Sequence, residues 1–232
     1  MSAEKQLSFE VVRQGASESI NVPIKRLVVA GWTGRDQAAV RHHIEELAER
    51  GVKAPETTPV FYRVSAARLT RAEVIDVPGR GNSGEVEFVL FQHDGELYVS
   101  VGSDHTENDV EAYGVTVAKQ MCDKPVATKA WPFSEVAPHW DQIHLRAWVV
   151  DNGERTLYQH GQVSAMLDPA VLLDGLAECD EAFSDGTLMY NGTFDVIGSI
   201  RFARRLEVEM YDPVLERSIT HGYNIETLPL RG

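Results

Sequence analysis

The stretch SGEVEFVLFQHDGELYVSVGSDHT, residues 83–106, constrains the fold most, because apolar and polar residues alternate on both sides of a turn. Residues two apart in a strand share a face. Val86 and Phe88 therefore predict a buried face, whereas Glu85 and Glu87 lie together on the other. The His-Asp-Gly-Glu turn favours antiparallel pairing of the two strands.

Further short strands with turn signals follow along the chain, and helical periodicity is confined to three segments, 36–51, 107–120 and 169–179. This mixture predicts an α+β fold built around a β-sandwich or β-roll. Because no Pro/Gly/Ser-rich linker interrupts it, we expect a single domain over residues 1–232, with residues 1–26 as an N-terminal hairpin extension. The predicted strands are 6–12, 19–24, 26–31, 73–77, 84–91, 96–103, 142–150, 155–165, 187–192 and 204–211.

The charge balance restricts the partners that the chain can bind. It has 22 basic and 35 acidic residues and a net charge of −13. Nucleic acids and anionic membranes are bound by clustered Lys and Arg, so neither is expected as a partner. Two cysteines, Cys122 and Cys179, are predicted to be reduced core thiols. Because no apolar run follows a basic N-terminal segment, we expect a cytoplasmic protein.

The carboxylates of the hairpin raise the question of a metal. Asp104 follows the second strand on a face that it shares with small residues, so pairing could bring it close to Glu85 and Glu87. Three such anions repel one another unless they are protonated or neutralised by a cation. A hard ion such as Mg²⁺, Mn²⁺ or Ca²⁺ prefers these oxygen ligands. The pattern alone leaves open a solvated sheet face and an N-cap role for Asp104.

The segment RHHIEEL offers two His-x-x-Glu pairs on the first predicted helix, and residues three apart are neighbours on a helix. The helical wheel places His43 and Glu46 beside the apolar stripe and His42 towards solvent. Either an oriented imidazole or an ordinary surface pair fits this spacing.

Taken in order, several segments resemble the fumarylacetoacetate hydrolase family from about residue 27 to the C-terminus. The helix with His-x-x-Glu and the Pro-rich loop resemble the family's opening. The Glu-x-Glu strand and the strand that ends in VGSDHT resemble its metal-binding strands. The matching segments are LVVAGWTGRDQAAVRHHIEELAERGVKAPETTPVFYRV, SGEVEFVLF, VGSDHTENDVEAYGV, TKAWPFSEVAP, DNGERTLYQHGQVSAML and GTLMYNGTFDVIG.

The resemblance implies a site and a chemistry. It implies Mg²⁺ or Mn²⁺ (Ca²⁺ is also compatible) held by Glu85, Glu87 and Asp104, with Asp109 as the alternative third ligand. It also implies His43 as a base oriented by Glu46, with Lys129 supplying positive charge. The residues implied to contact substrate are Thr193, Gly192 and Glu111.

The implied activity is hydrolysis or decarboxylation, with C–C bond cleavage, of a small 2-oxo acid or 1,3-diketone-type carboxylate by a homodimer. A hydratase, dehydratase or isomerase on the same site is the alternative, as is a metal-binding protein without turnover. The chain departs from the family where arginine and glutamine are usual, since Asn108 and Glu111 stand there. The substrate therefore does not follow from the resemblance.

Overall fold

The computed structural model describes residues 4–49, 51–179 and 182–231 of the chain. Four α-helices of the described residues connect the strands: α1 (Gln37–Glu49), α2 (Val115–Met121), α3 (Phe133–Val136) and α4 (Pro169–Cys179). The strands are β1 (Lys5–Arg13), β2 (Ala16–Ile24), β3 (Arg26–Gly31), β4 (Val60–Val64), β5 (Leu69–Thr70), β6 (Val74–Pro78), β7 (Asn82–Ser83), β8 (Val86–His93), β9 (Glu96–Ser103), β10 (Thr106–Glu107), β11 (Lys124–Pro125), β12 (Lys129–Pro132), β13 (His144–Asp151), β14 (Glu154–Gln162), β15 (Thr187–Tyr190), β16 (Arg205–Asp212) and β17 (Arg217–Leu228).

The larger sheet has eight strands in the order β2-β1-β12-β9-β8-β15-β3-β4. Two strands separate β1 from β8, so a flat sheet would place them about 14 Å apart. Nevertheless Phe9 of β1 and Phe91 of β8 stack with ring centroids 4.2 Å apart. Val22 and Val64, from the two edge strands, also belong to one buried cluster. The sheet is therefore curled into a roll around this cluster.

The smaller sheet has five strands in the order β14-β13-β16-β17-β6 and covers the outer face of the roll. The main core lies between the two sheets. Phe88 and Trp131 contribute to it from the roll, and Leu145, Val208 and Ile225 contribute from the smaller sheet. This is the α+β architecture with two packed β-layers that the sequence predicts.

The N-terminal hairpin, the first helix and the two strands around residues 83–106 are confirmed. The strand β17, which pairs with β16 and β6 in the smaller sheet, is not among the sequence predictions. The predicted helix at 107–120 is also wrong in extent: a single 3₁₀ turn at Asn108–Val110 precedes Gly114, and α2 begins only at Val115.

Both cysteines are free thiols, but only Cys122 lies in the core, whereas Cys179 is exposed at the end of α4. The prediction of a core position is therefore corrected for Cys179. Among the described helices, none combines the length and the apolar character that crossing a bilayer requires.

Candidate metal centre and active site

Three carboxylates meet at the end of the β8–β9 hairpin. Glu87 lies opposite Gly102 in the ladder, and the backbone N–H of Asp104 donates to the carbonyl of Glu85 at 3.0 Å. One oxygen from each of Glu85, Glu87 and Asp104 lies within 4.8 Å of the others. Glu87 and Asp104 are buried, and the Glu85 side chain is 24% exposed. We call these three side chains the carboxylate cluster.

Two lysines supply positive charge to the carboxylate cluster. The ammonium of Lys119 on α2 contacts Asp104 Oδ2 and lies 3.6 Å from Glu85 Oε2. The ammonium of Lys124 lies 3.1 Å from Asp104 Oδ1 and donates to the His105 carbonyl at 2.5 Å. The side chains of both lysines are almost completely shielded from solvent.

The pKa of Asp104 is shifted in the opposite direction from the pKa values of the two glutamates. Burial raises the pKa of Glu85 to about 7, although Lys119 opposes the shift. Burial and the nearby Asp104 charge raise the pKa of Glu87 well above its usual range. For Asp104 burial acts in the same direction, but Lys119 and Lys124 outweigh it and lower the pKa. The two lysines therefore do not compensate all three carboxylates.

The residues present fit a hard divalent ion. Such ions take carboxylate oxygens at about 2.0–2.6 Å, and three oxygens within 4.8 Å of one another can share one ion at those distances. The positive charge of such an ion would also offset the free-energy cost of keeping the buried glutamates ionised. Asp109, the alternative third ligand, is exposed and packs against Gly81 instead. The geometry thus favours Asp104 over Asp109.

Gly192 positions Glu87. Its backbone N–H donates to Glu87 Oε2 at 2.7 Å, and its φ is +96°, a conformation that L side chains rarely adopt. A Cβ added at this position would collide with Thr33 Oγ1. The substrate role that the resemblance implies for Gly192 stays a prediction. In the structure, the Gly192 backbone N–H donates a hydrogen bond to a carboxylate of the cluster.

We therefore expect Gly192→Ala to lower the free energy of unfolding by about 1–3 kcal/mol, from the strained φ alone. It should also weaken any binding of Mn²⁺, because relief of the collision with Thr33 would shift the backbone and move its N–H away from the Glu87 carboxylate. Chemical denaturation and isothermal titration calorimetry measure the two effects. Gly95→Ala is the matched control, since Gly95 has φ +77° and a Cβ added there would meet no heavy atom within 4 Å. Equal metal affinity in the two variants would contradict the positioning role.

The helix α1 begins at a capped N-terminus, where Asp36 Oδ1 accepts the backbone N–H groups of Ala38 and Ala39 at 2.8 and 3.1 Å. His43 Nδ1 lies 3.5 Å from Glu46 Oε2, as the spacing predicts. However, His42 also reaches Glu46, with 3.4 Å between Nε2 and Oε1. The His42 side chain is 73% exposed and that of His43 51%, so both are more open to solvent than a buried base would be.

Three ring side chains, those of His43, Trp32 and Tyr62, connect this helix to the roll, and we call them the aromatic wall. The ring of His43 lies 5.6 Å from that of Trp32, and Trp32 Nε1 donates to the hydroxyl of Tyr62 at 3.1 Å. Trp32 has φ +59°, which is uncommon for a bulky residue. The charges of Lys119 and Asp104 act on the Tyr62 hydroxyl, whose pKa is raised mainly by burial. The wall therefore runs from His43 to the surroundings of the carboxylate cluster.

The structure does not bring Lys129 to the cluster. Its ammonium lies 3.9 Å from Glu10 on the neighbouring strand, and its side chain is 49% exposed. Lys129 shares a strand face with Trp131, which packs between the two sheets, whereas Glu87 points into the roll with Val89. Because Lys129 and Glu87 lie on opposite faces, the prediction for Lys129 is corrected, and Lys119 and Lys124 provide the positive charge.

Two further predicted substrate contacts have other surroundings. Thr193 donates its hydroxyl proton to the Val86 carbonyl at 2.8 Å and accepts from Gln159 Nε2 at 2.9 Å, so it is engaged in the scaffold. Glu111 is half-buried near the cluster, where its charge contributes to the raised pKa of Glu85.

A cavity of about 510 Å³ is connected to the cluster through Glu111, although none of the three carboxylates lines it. Leu47 from α1, Glu111 after the 3₁₀ turn, and Arg80 and Arg201 from two loops line it. Leu47 is one helical turn after His43, so both side chains lie on the same side of α1. The cavity is therefore bounded by the helix that carries the candidate base and by a residue whose charge reaches Glu85.

Lys119 and Lys124 are the site residues that the sequence prediction missed. A signal for Lys119 was present, because Val115, Ala118 and Cys122 mark the apolar stripe of a helix and Lys119 falls on the same stripe. Lys119 is indeed buried beside Ala118. A lysine on a buried stripe requires an anionic partner. For Lys124, which follows the helix in an extended segment, we find no comparable sequence signal.

Comparison with known proteins places the chain in a family. Residues 30–223 match the family described as "Protein of unknown function (DUF2848)". The chain belongs to this family. No curated protein matches the sequence.

Solved structures show the same fold at low sequence identity. A candidate fumarylacetoacetate hydrolase family protein from Yersinia pestis CO92 is 17% identical and superposes with a TM-score of 0.67 over 96% of this chain and 100% of its own. A candidate fumarylpyruvate hydrolase from Burkholderia cenocepacia is 18% identical, with a TM-score of 0.61 over 99% and 98%. A 2-keto-3-deoxy-D-arabinonate dehydratase complexed with magnesium and 2,5-dioxopentanoate is 13% identical, with a TM-score of 0.63 over 88% and 74%. The DUF2848 chain thus has the fumarylacetoacetate hydrolase fold.

Proposed function

We propose that this protein is a divalent-metal-dependent enzyme acting on a small 2-oxo acid or 1,3-diketone-type carboxylate, by hydrolysis or decarboxylation with C–C bond cleavage. The observation that carries the proposal is the convergence of Glu85, Glu87 and Asp104 at the end of the β8–β9 hairpin. A cavity lined by Glu111, whose charge acts on Glu85, offers space for a small substrate. The fold neighbours support it, since their names include hydrolases and a magnesium-complexed dehydratase.

Glu85, Glu87 and Asp104 would hold the ion, which we propose to be Mg²⁺ or Mn²⁺. When bound, such an ion supplies Lewis acidity towards substrate oxygens. Lys124 holds Asp104 in place through its 3.1 Å ion pair, and the Gly192 amide does the same for Glu87. The buried Phe91 and Val89, which line the roll behind Glu87, exclude water from that side of the cluster.

His43 would move a proton at the carbon next to the substrate carbonyl, or take one from water. Glu46 contacts Nδ1, so Nε2 is the nitrogen left to act as the base. Trp32 packs against the imidazole and limits its position. Because only Val40 of α1 is buried, the helix has few core contacts to break if it closes over a bound substrate.

Dehydration on the same site is a second candidate, favoured by the dehydratase among the fold neighbours. Hydrolysis, decarboxylation and dehydration of 2-oxo acids share proton transfer at the carbon beside the carbonyl. A test of that proton transfer therefore examines the enzyme class before the substrate is known.

We expect chelator-treated protein to gain thermal stability on addition of Mg²⁺ or Mn²⁺, because an ion that binds only the folded state stabilises it, by about 2.7 kcal/mol at one hundred times Kd. The same protein should then exchange the C3 hydrogens of 2-oxobutyrate or 2-oxoglutarate for deuterium, as followed by proton NMR in D₂O. Product analysis with acylpyruvates, oxaloacetate and 2-keto-3-deoxy sugar acids would assign the reaction.

Metal stabilisation without exchange into any of these 2-oxo acids would contradict an enzymatic role and support a metal-binding protein without turnover. Absence of any ion-dependent stabilisation would contradict the metal site itself. A small-molecule carboxylate is the proposed partner, and a homodimer is the proposed assembly. Sedimentation equilibrium would test the dimer, and a mass of one chain at micromolar concentration would contradict it.

A further inference from the structure

The carboxylate cluster already contains a cation of its own. Lys119 contacts Asp104 Oδ2 and lies 3.6 Å from Glu85 Oε2, so two of the three proposed ligands for a divalent ion share one ammonium group. Its side chain is 8% exposed. Three carboxylates are enough to bind a divalent ion, so metal binding does not explain why a lysine contacts two of them.

Charge and distance make Lys119 a competitor of the metal. A divalent ion bound to Asp104 Oδ2 would lie about 2.0–2.6 Å from that oxygen and therefore within about 5 Å of the Lys119 ammonium. Two cations at such a separation repel each other strongly where water is scarce. The ammonium also uses lone pairs of the oxygens that the ion would take.

Lys119 is freer to move than Lys124. The Lys124 ammonium is fully buried and also donates to the carbonyl groups of His105 and Cys122, at 2.5 and 3.2 Å. Those acceptors remain when an ion binds. Within the described part of the chain, the partners of the Lys119 ammonium are the carboxylates of Asp104 and Glu85. An ion that takes these carboxylates therefore removes what holds Lys119 in place.

We propose that Lys119 is the resident counter-ion of the carboxylate cluster, which a divalent ion displaces when it binds, so that this lysine sets the metal affinity of the site. The apo protein then keeps Asp104 and Glu85 paired with a cation in the absence of metal. Binding of the ion exchanges one cation for another, which makes the affinity lower than three carboxylates alone would provide. This inference rests on the proposed metal site but not on the proposed reaction.

The test compares Mn²⁺ affinity in the wild type, Lys119→Met and Lys119→Gln by isothermal titration calorimetry and by electron paramagnetic resonance of free Mn²⁺. Removal of the competing charge should lower the Kd for Mn²⁺ at least about tenfold in both variants. Glutamine keeps a hydrogen-bond donor without the charge, so similar gains in both variants would identify charge as the cause. Lys25→Met is the control. Lys25 is an exposed lysine immediately before β3, and its ammonium lies 4.0 Å from a carboxylate oxygen of Glu4.

A second measurement uses only the wild type and does not depend on a variant that folds. Acetylation of lysines with acetic anhydride, read by peptide mass spectrometry, should increase at Lys119 when Mn²⁺ is saturating. Lys124 is the internal reference and should stay unmodified in both states, since its side chain is fully buried.

The outcomes separate the inference from its alternatives. A Kd for Mn²⁺ in Lys119→Met that is unchanged within twofold, or weaker than in the wild type, would overturn it, as would unchanged acetylation of Lys119 on saturation with Mn²⁺. Absence of binding in wild type and variants alike would also overturn it. Tight binding in the variants would support it even if no 2-oxo acid were turned over, a result that would contradict the proposed reaction alone.

Discussion

Glu87→Gln is expected to abolish measurable Mg²⁺ or Mn²⁺ binding and to lower turnover roughly 10³-fold, because a bound ion contributes several kcal/mol of stabilisation to charge that develops on substrate oxygens. Glutamine has the size of glutamate, and its carbonyl oxygen can still accept the Gly192 N–H that Glu87 accepts at 2.7 Å. The substitution thus removes a charge and a ligand while the neighbouring backbone keeps its partner.

The fold should tolerate this change. Burial and the charge of Asp104 raise the pKa of Glu87 well above its usual range, so glutamine removes a charge that these surroundings disfavour. The metal-free variant should therefore unfold at a temperature close to that of the metal-free wild type. Only the increment in melting temperature caused by added Mn²⁺ should disappear.

Differential scanning fluorimetry with and without Mn²⁺ and the deuterium exchange of 2-oxobutyrate measure the two effects. Glu226→Gln is the control, since it is an exposed carboxylate on β17 and its loss changes the net charge by the same amount. A Glu87→Gln protein with the full Mn²⁺ increment would show that the ion, if any, binds elsewhere.

The strand pattern could bring the three carboxylates together because their geometry is largely local, and the family resemblance then selected this cluster over a solvated sheet face. Glu85 and Glu87 share a face through the two-residue period of a strand, and a short turn pairs their strand with the one that ends at Asp104. The curl of the eight-stranded sheet is different. It depends on contacts such as that of Phe9 with Phe91, which are 82 positions apart by number and have no local signature.

The positive charge at the site was misassigned for a related reason. Lys129 lies on a strand, and the face on which it points depends on the register of β12 against β9. That register places Trp131 in the core between the sheets and Lys129 beside Glu10, away from Glu87. A one-residue shift would reverse this arrangement, and composition alone does not determine the register.

The helix with two histidines shows what spacing can and cannot determine. The three-residue interval predicted the contact of His43 with Glu46 correctly. It did not show that His42, one position earlier, would share the same glutamate, because an i,i+4 pair forms as readily as an i,i+3 pair. Contact with Glu46 therefore does not distinguish the two histidines, whereas the ring of Trp32, 5.6 Å from that of His43, does.

His43→Ala is accordingly expected to lower turnover roughly 10²–10⁴-fold, the usual contribution of a positioned general base. The His43 side chain is half exposed, so its removal should leave the melting temperature and the Mn²⁺ affinity nearly unchanged. His42→Ala is the matched control, because it removes a neighbouring imidazole that also contacts Glu46 and is 73% exposed. Steady-state rates of deuterium exchange, with Mn²⁺ saturating, measure both variants.

Glu46→Ala should reduce the rate by a smaller factor than His43→Ala, since Glu46 contacts the imidazole at Nδ1 and would orient it without taking the proton. If the loss of His42 and the loss of His43 lowered the rate equally and only slightly, α1 would serve as scaffold, and the base would have to be sought elsewhere around the cavity. The Tyr62 hydroxyl, which Trp32 already orients at 3.1 Å, would then be the next residue to replace, as Tyr62→Phe. Because the exchange assay reports proton transfer and the Mn²⁺ titration reports the cluster, a failure of the base assignment would leave the metal site standing.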